Sequence, residues 1–250
     1  MYKIFFSNIG YARNIDGSLM QHLTGFHRNF FNSLYTQKKV LSQVRDIMNA
    51  CRPDLCCFVE VDMGSYSSAY LNHLDHISDE EYSYYDAADK YGEQSILSRL
   101  PFHQGKANGF LARNEIPYER LYLPYGSKRL IYKIILPGDI DLYFLHFSLK
   151  LKVRERQFEF MNNLIRKNGR PVIIMADFNI FAGFSELGTL MRDTDLEILN
   201  DEERPTFLFY NNELALDLCL CSSDLAKYAD LDIINQPYSD HQALLLNLDI

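Results

Sequence analysis

Several apolar segments of this sequence end in polar side chains that could hold or activate a ligand. The clearest is PVIIMADFNIF, residues 171–181, where a short run rich in β-branched residues breaks at Asp177 and Asn179. Such a run is typical of a strand buried on both faces, and alternation along it would place Asp177 and Asn179 on the same side. A carboxylate at that position is costly to bury unless a metal or a cation meets it. A turn cap at Asp177 is the competing interpretation.

The same pattern recurs at other predicted strand ends. Glu60, for example, is the one charged residue of the apolar run LCCFVEV. Each residue alone has a structural explanation, as a turn residue, a satisfied core histidine or a cap. Strand ends in stacked α/β sheets converge on one edge, however, where ligand sites form. The full set is Asn8, Glu60, His146, Asp177, Asn179, Asp217, Asp240 and His241.

The chemistry open to this set is narrow. Carboxylates, amides and histidines without a cysteine pair suit a hard cation, Mg²⁺ or alternatively Mn²⁺. Such a cation neutralises phosphate oxygens, while a carboxylate or histidine activates water for in-line attack. The sequence has no glycine-rich phosphate loop with its lysine, which argues against NTP-dependent phosphoryl transfer. It has no nucleophile elbow either, so a serine hydrolase has little support.

Composition sets the broader class. The 250 residues are 47% hydrophobic, which favours a large core in one α/β domain covering residues 1–250. The net charge of -8 opposes non-specific binding to polyanions, although it permits a local positive groove. The five cysteines lack zinc-type spacing and are expected to be reduced core thiols. No signal peptide or transmembrane segment is recognisable, so we expect a cytoplasmic monomer.

The chain alternates between predicted strands and helices without a repeat or a linker. Helical periodicity marks residues 40–48 and 158–165, the latter ending at an Asn-Gly cap. Further helices are expected at 66–74 and 224–228 and an acidic loop at 193–203; strands are expected at 2–9, 54–61, 82–87, 94–98, 131–136, 142–147, 172–175, 214–221 and 243–249.

Seven segments together carry a resemblance to a known family. In chain order they are FFSNIG, PDLCCFVEVD, GEQSILSRLPF, LYFLHFSLKLKVRERQ, PVIIMADFNI, LALDLCLCSS and YSDHQALLLNL. With them the chain resembles the endonuclease/exonuclease/phosphatase superfamily of deoxyribonuclease I-like proteins, and the resemblance spans nearly the whole sequence. It implies a four-layer sandwich of two packed, mostly antiparallel β-sheets flanked by helices, with the site at one edge.

The resemblance also implies roles around a metal and a scissile phosphate. Glu60 would be the principal metal ligand with Asn8 beside it, and Asp240 a second-metal or supporting ligand. Asp177 would orient or deprotonate the attacking water. Asn179 would hold the phosphate.

Four further residues receive roles from the same resemblance. His241 would contact the phosphate and stabilise its developing charge, or serve as general base, while Asp217 orients its ring. His146 stands where members of the family have a histidine or a tyrosine and is the candidate general acid. Arg154 is either a phosphate contact or a structural residue, and we favour a structural position on the exposed side of its helix.

The substrate stays open at this stage. The resemblance implies a phosphate ester, and we expect a phosphodiester, with nucleic acid slightly ahead because the 17 tyrosines include candidates for base stacking. The alternatives are a phosphomonoester such as an inositol phosphate, a nucleotide or another soluble metabolite, a phospholipid as in sphingomyelinases, and a catalytically silent binding protein. Residues 11–33 form an insertion rich in histidine and phenylalanine (His22, Phe26, His27, Phe30 and Phe31), which is either a substrate-selecting flap or inert surface.

Overall fold

Two six-stranded sheets and the helices outside them account for most of the chain. The computed structural model describes residues 1–92, 95–101 and 103–250, without the side chains of residues 22, 23, 26 and 29. The strands are β1 (Tyr2–Asn8), β2 (Leu55–Asp62), β3 (Tyr84–Asp89), β4 (Lys106–Ala112), β5 (Tyr118–Tyr122), β6 (Leu130–Leu136), β7 (Ile140–His146), β8 (Val172–Asp177), β9 (Leu196–Ile198), β10 (Phe207–Phe209), β11 (Asn212–Leu214), β12 (Asp217–Ser222), β13 (Ala229–Ile234) and β14 (Ala243–Leu248). The helices are α1 (Leu19–Gly25), α2 (Leu34–Cys51), α3 (His73–Ile77), α4 (Leu151–Asn168), α5 (Gly188–Met191) and α6 (Ser223–Ala226).

The sheet topology brings the polar strand ends to one edge. The first sheet has the order β13-β14-β1-β2-β4-β3 and the second β5-β6-β7-β8-β12-β9. β1 pairs in parallel with β2, and β7 with β8, while the other neighbours in these sheets are antiparallel. Asp177 is the register partner of both His146 and Asp217, so three predicted site residues stand side by side.

Three apolar clusters define four layers. One lies between the sheets and includes Phe6 and Phe144. A second packs the inner face of α4 on the second sheet, and a third packs α2, through residues such as Val44, on the first. Each fully buried Phe or Leu contributes about 1.5–3 kcal/mol relative to exposure. The predicted four-layer sandwich of two mostly antiparallel sheets is therefore confirmed.

Both long helices follow from local sequence. α2 begins after Ser33, whose Oγ accepts a hydrogen bond from Thr36 N at 3.1 Å, and ends at left-handed Arg52 before a proline. α4 buries Phe158, Met161 and Ile165 and ends at Gly169, which has a φ of 67°. The predicted amphipathic pattern and its Asn-Gly cap are thus observed, because only a residue tolerant of positive φ closes this helix without strain.

Several predicted elements are wrong. In place of a helix over 66–74 the chain has a 3₁₀ turn at Tyr66–Ser68 and the short α3, because Ala69 and Tyr70 adopt left-handed φ values of 50° and 62°. In place of a strand at 94–98 it has a 3₁₀ turn at Leu97–Arg99, and Gln94 lies outside the described residues.

Other differences concern strands that the sequence does not predict. β4 begins with Lys-Ala-Asn-Gly, which has low strand propensity, and β5, β10 and β13 each contain exposed residues. The acidic loop contains β9, the strand over 214–221 is divided between β11 and β12, and the last short helix is α6. All of these strands except β10 and β11 extend a sheet whose centre was predicted. Tertiary pairing, rather than local preference, supplies their structure.

The segment 11–33 is partly helical, although its sequence shows no clear period. It contains α1 and a 3₁₀ turn at Phe26–Asn29. Arg28 Nη1 donates to the carbonyls of Arg13 and Asn14 at 3.0 and 2.9 Å, which folds the segment back on itself. Gly17 has a φ of 81°, and a Cβ there would lie 2.0 Å from Leu208 O. The segment is therefore docked closely against the β10–β11 hairpin.

Two broader expectations concern the state of the cysteines and the presence of a membrane-spanning helix. Cys56, Cys57, Cys219 and Cys221 are buried free thiols, and Cys51 is half-buried and free. Within residues 1–92, 95–101 and 103–250, no helix is both long enough and apolar enough to cross a membrane.

Candidate active site

The predicted site residues converge on one cavity of about 260 Å³ at the edge where the two sheets meet. Asp217 and Arg154 are the exceptions, because both are buried and neither lines the cavity. The first sheet contributes Asn8 and Glu60, and the turn before β14 contributes Asp240 and His241. The second sheet contributes the others. The predicted residues that line the cavity are Asn8, Glu60, His146, Asp177, Asn179, Asp240 and His241.

Glu60 reaches the cavity through an irregularity in β2. The register between β2 and β4 shifts between Phe58 and Val61, and Glu60 adopts a φ of 57°. A non-glycine residue in this conformation is uncommon, and such strain concentrates at functional sites. Asn108 of β4 supports it, since its Oδ1 accepts from Glu60 N at 3.3 Å. The bulge aims a carboxylate at the cavity from a strand that would otherwise place it differently.

The pKa of Glu60 is low despite its environment. Burial favours the neutral acid, but the nearby cations of Lys90 and Lys128, together with His146, outweigh burial and lower the pKa to about 2. Glu60 is therefore a carboxylate at neutral pH. Its charge is available to a cation in the cavity.

Asp177 lies at the centre of the hydrogen-bond network. Its Oδ2 accepts from Asn8 Nδ2 at 3.0 Å and lies 2.9 Å from His146 Nε2, while its Oδ1 accepts from Asn179 N at 3.2 Å. Burial opposes ionisation, but His146 and His241 hold the pKa of Asp177 well below its usual range. The result is a fixed, ionised carboxylate facing the cavity.

Asn179 is held so that its amide also faces the cavity. It adopts a left-handed φ of 54°, and its Nδ2 donates to Phe147 O at 3.0 Å. An amide nitrogen carries two hydrogens, so one of them remains for a ligand.

His241 and Asp217 form a buried dyad across the two sheets. His241 Nδ1 lies 2.6 Å from Asp217 Oδ2, and His241 Nε2 lies 3.9 Å from Asp177 Oδ2. Burial disfavours the charged ring, but the carboxylates of Asp217 and Asp177 outweigh it and raise the pKa of His241 to about 10. With Nδ1–H donated to Asp217, the Nε2–H of an imidazolium is directed to the cavity side of the ring.

His146 and His241 approach the same oxygen of Asp177, His146 Nε2 at 2.9 Å and His241 Nε2 at 3.9 Å. His146 Nδ1 lies 3.7 Å from Glu60 Oε1 and has no hydrogen-bond partner among the described residues. Burial and the neighbouring Lys128 ammonium lower the pKa of His146. The ring is therefore neutral at neutral pH, which means that it would need to gain a proton before it could act as an acid.

The expected position of Arg154 is wrong. We expected an exposed side chain with phosphate contact as the alternative, but Arg154 is buried and does not line the cavity. Its Nη1 donates to Ser148 O and Leu149 O at 3.0 and 3.1 Å, and its Nη2 pairs with Glu186. The guanidinium offsets its burial with these bonds. The geometry makes it a support for the segment after β7.

Two cations in the cavity were not predicted. Arg13 follows the 3₁₀ turn Gly10–Ala12, and Lys128 comes from the loop between β5 and β6. Both lie in irregular segments where no strand end marks them. The one available signal was their proximity in sequence to Asn8 and to the strand at 131–136, which is too weak to single them out.

The donor set fits a hard cation. Glu60, Asp177 and Asp240 offer carboxylate oxygens to the cavity and Asn8 an amide oxygen, and Mg²⁺ and Mn²⁺ prefer such ligands. A second group of candidate ligand atoms, from Asp177, Asp217 and His241, lies within 4.8 Å. In this second group Asp217 and His241 already bind each other in the 2.6 Å dyad, and Asp217 does not line the cavity. The Glu60 side is therefore the better fit.

Comparison with known proteins establishes the class. The sequence model of the Endonuclease/Exonuclease/phosphatase family matches residues 29–241, and the chain belongs to this family. Membership supports a phosphoester hydrolase in general terms. No curated protein sequence matches the chain.

Solved structures with low sequence identity share the fold. Truncated TDP2 from Caenorhabditis elegans is 15% identical with a TM-score of 0.66, over 100% of this chain and 97% of that one. The mannosyl-6-phosphatase Bt3783 from Bacteroides thetaiotaomicron is 13% identical with a TM-score of 0.64, over 100% of both chains. The endonuclease domain of TRAS1, a telomere-specific non-LTR retrotransposon, is 11% identical with a TM-score of 0.61, over 100% and 99%.

Proposed function

We propose that this protein is a Mg²⁺-dependent phosphodiesterase that hydrolyses its substrate by in-line attack of water. The observation that carries the proposal is the arrangement around Asp177. Its ionised carboxylate is fixed by Asn8 and Asn179, and it faces the same cavity as the His241–Asp217 dyad. An acceptor for a water proton and a cationic donor for a phosphate oxygen thus face one small space, 3.9 Å apart.

Asp177 would orient the attacking water and accept its proton. The low pKa of this carboxylate makes it a weak base, so its main contribution is to position the water. Asn179, with one amide hydrogen left over, would donate to a non-bridging oxygen of the scissile phosphate. Asp177 ends β8 and Asn179 comes two residues later, so the end of this strand fixes the spacing between them.

His241 would stabilise the charge that develops on the phosphate. An imidazolium with a pKa of about 10 is a hydrogen-bond donor rather than a general base at neutral pH. Asp217 keeps its ring in the required tautomer and orientation. His146, neutral and bonded to Asp177, would orient that carboxylate, and its role as general acid remains a prediction.

Glu60 and Asn8 would hold the Mg²⁺, with Asp240 as a supporting ligand. When bound, the cation would neutralise phosphate oxygens and lower the barrier to attack at phosphorus. At neutral pH the protein should retain activity when Mn²⁺ replaces Mg²⁺, since Mn²⁺ binds the same oxygen donors.

The walls of the cavity support a diester. Ile15, Leu149, Phe181 and Phe207 form apolar surface beside the polar groups. A diester carries organic groups on both sides of phosphorus, and apolar walls on opposite sides would hold them. We place a nuclease first because aromatic side chains at the rim suit nucleobases. A phosphomonoester, a nucleotide, an inositol phosphate or sphingomyelin are the alternative outcomes of the test.

The test is a hydrolysis panel with and without EDTA. Bis(p-nitrophenyl) phosphate and p-nitrophenyl phosphate separate diester from monoester activity, and single- and double-stranded DNA and RNA, inositol phosphates and sphingomyelin identify the class. Asp177→Ala and His241→Ala should each lower kcat by about 10³-fold or more, and Asp46→Ala, an exposed aspartate of α2, serves as the matched control. Activity that survives both site substitutions would refute the mechanism.

A further inference from the structure

The loop that carries Lys128 is fixed in place. Leu123 N donates to Arg129 O at 2.7 Å across its base. Gln157 Nε2, from the buried face of α4, donates to Tyr125 O at 2.9 Å and Lys128 O at 3.1 Å. The backbone of Lys128 is therefore held against a helix rather than left as a mobile surface loop.

Gly126 also shows that the loop carrying Lys128 packs tightly. Gly126 adopts a φ of 84°, and a Cβ there would lie 2.8 Å from Val153 Cγ1 and 2.9 Å from Gln157 Nε2. Only glycine fits both the conformation and the space. The loop approaches α4 closely enough to deliver the next lysine into the cavity.

The Lys128 ammonium lies inside the site without a paired carboxylate. Its Nζ contacts His146 Nε2, and it lines the cavity with Glu60 and Asp177. No carboxylate oxygen lies within 4.0 Å of it in the part of the chain that is described. Glu60 and Asp177 attract this ammonium from beyond 4.0 Å, which offsets only part of the cost of burying it.

Two other lysines that point into the protein are paired with carboxylates, whereas Lys90 contacts the hydroxyl of Tyr11. Lys106 Nζ lies 2.7 Å from Asp62 Oδ2 and donates to Ser67 Oγ at 2.8 Å. Lys133 Nζ lies 2.9 Å from Asp141 Oδ2. Ion pairing therefore accounts for Lys106 and Lys133, whereas Lys128 faces the cavity in contact with a histidine, which points to an anion from outside the chain.

The hydrogen bonding of His146 also indicates that the Lys128 ammonium binds an anion from outside the chain. Its Nε2 faces both Asp177 Oδ2, at 2.9 Å, and the Lys128 ammonium. A ring nitrogen either donates one hydrogen or accepts one, so it cannot satisfy both neighbours. The conflict ends when the ammonium turns to another acceptor in the cavity, because Nε2–H is then free to donate to Asp177.

We propose that Lys128 is a further catalytic residue, whose ammonium donates to a non-bridging oxygen of the scissile phosphate. This inference rests on the proposed phosphoesterase function and adds a residue to it. Lys128 would bind the phosphate from its position beside His146. It would stabilise the negative charge of the transition state, and it would not act on the leaving oxygen.

The test compares Lys128→Met and Lys128→Arg with Lys152→Met, an exposed lysine of α4 outside the cavity. Lys128→Met should lower kcat/KM for aryl phosphodiesters by about 10²–10³-fold, by the same factor for good and poor leaving groups. Lys128→Arg should recover part of the loss because it keeps the charge. The Tm of Lys128→Met should equal or exceed that of the parent, since a costly buried charge is removed.

Binding of inorganic phosphate, measured calorimetrically with Mg²⁺ present, decides the inference without turnover. Lys128→Met should weaken it about tenfold or more, whereas Lys152→Met should not. If no ester is hydrolysed by the parent protein, the proposed function fails, and this binding arm still supports or overturns the role of Lys128. Unchanged phosphate binding, a Tm that falls together with activity, or a loss that grows with leaving-group pKa would each overturn the inference.

Discussion

Asn8 and Asp177 join the two sheets at the candidate site, although 169 positions separate them in the chain: Asn8 Nδ2 donates to Asp177 Oδ2 at 3.0 Å. The His241–Asp217 pair makes a second bridge between the sheets, at 2.6 Å. Neither sheet contains the candidate site by itself. The arrangement therefore predicts that changes on one sheet alter the behaviour of residues on the other.

The dyad should behave as one unit. Asp217→Asn should lower kcat by about 10²-fold or more, because a neutral amide neither favours the charged ring of His241 nor fixes the hydrogen on Nδ1. His241→Gln should cost at least as much, and the double variant about the same as His241→Gln alone. Steady-state kinetics of the three variants measure this. Additive losses would show that Asp217 acts independently of His241.

The bulge at Glu60 should control metal affinity through Asn108. Asn108→Ala removes the acceptor for Glu60 N, so the carboxylate should lose its fixed orientation and Mg²⁺ or Mn²⁺ affinity should fall about 10–100-fold. Isothermal titration calorimetry measures the affinity directly. Asn163→Ala, at an exposed asparagine of α4, is the control and should bind the metal normally. Equal affinities in the two variants would remove Asn108 from the metal site.

His73 should make the protein sensitive to mild acid. It is fully buried, accepts from Asp62 N at 3.2 Å and contacts Gln37 Oε1 at 2.9 Å, and burial lowers its pKa to about 4. The unfolded chain, with a His pKa of about 6.5, binds more protons than the folded protein between pH 6.5 and 4. The free energy of unfolding is therefore highest above about pH 6.5 and falls as the pH drops toward 4. The loss should be on the order of 2–3 kcal/mol.

Denaturant unfolding at pH 7, 5.5 and 4.5 checks this sign. His73→Gln should be less stable than the parent at pH 7, and its curve should be flatter over the same interval. His27→Gln, at an exposed histidine, should follow the parent. A parent protein whose stability does not change between pH 7 and 4.5 would contradict the prediction.

The segment 11–33 offers a test of the flap hypothesis, because Arg13 and Ile15 line the cavity. Gly17→Ala should displace these residues and cost about 1–3 kcal/mol of stability, since its Cβ would meet Leu208 O. We expect the ratio of kcat/KM for bulky and small diesters to change. Gly169→Ala, with similar φ but open space around it, controls for backbone strain. An unchanged ratio would show that the segment is inert surface. Of the residues that motivate the flap hypothesis, His22 and Phe26 have side chains outside the described part of the structure.

Prediction from sequence worked where one strong local pattern had one structural meaning. The buried strand at residues 172–175 predicts the positions of Asp177 and Asn179. The pairing of β8 with β7 and β12 then places Asp177 beside His146 and Asp217. The residues chosen at strand ends therefore meet, although their roles remain proposals. The four-layer fold was within reach because its core strands are strongly apolar.

The failures have a common physical cause. Arg154 was assigned to the exposed face because an arginine on an amphipathic helix usually lies there, but contacts with Glu186 and two carbonyls make burial favourable. Lys128 lies in a loop whose shape depends on Gln157, a contact from distant sequence. The left-handed conformation of Glu60 depends on pairing with β4, a strand that has no local signal. Each miss needed knowledge of a non-local partner.

The candidate site depends on residues that come late in the chain, next to β14. β14 lies between β13 and β1, and Asp240 and His241 immediately precede it. Non-local strand pairing is slow to form because the closure of a long loop must come first. A chain still emerging from the ribosome, with β1 through β12 already made, would have Asp217 but not its histidine. The hydrogen bond between His241 and Asp217 therefore cannot form until this late part of the chain has been made.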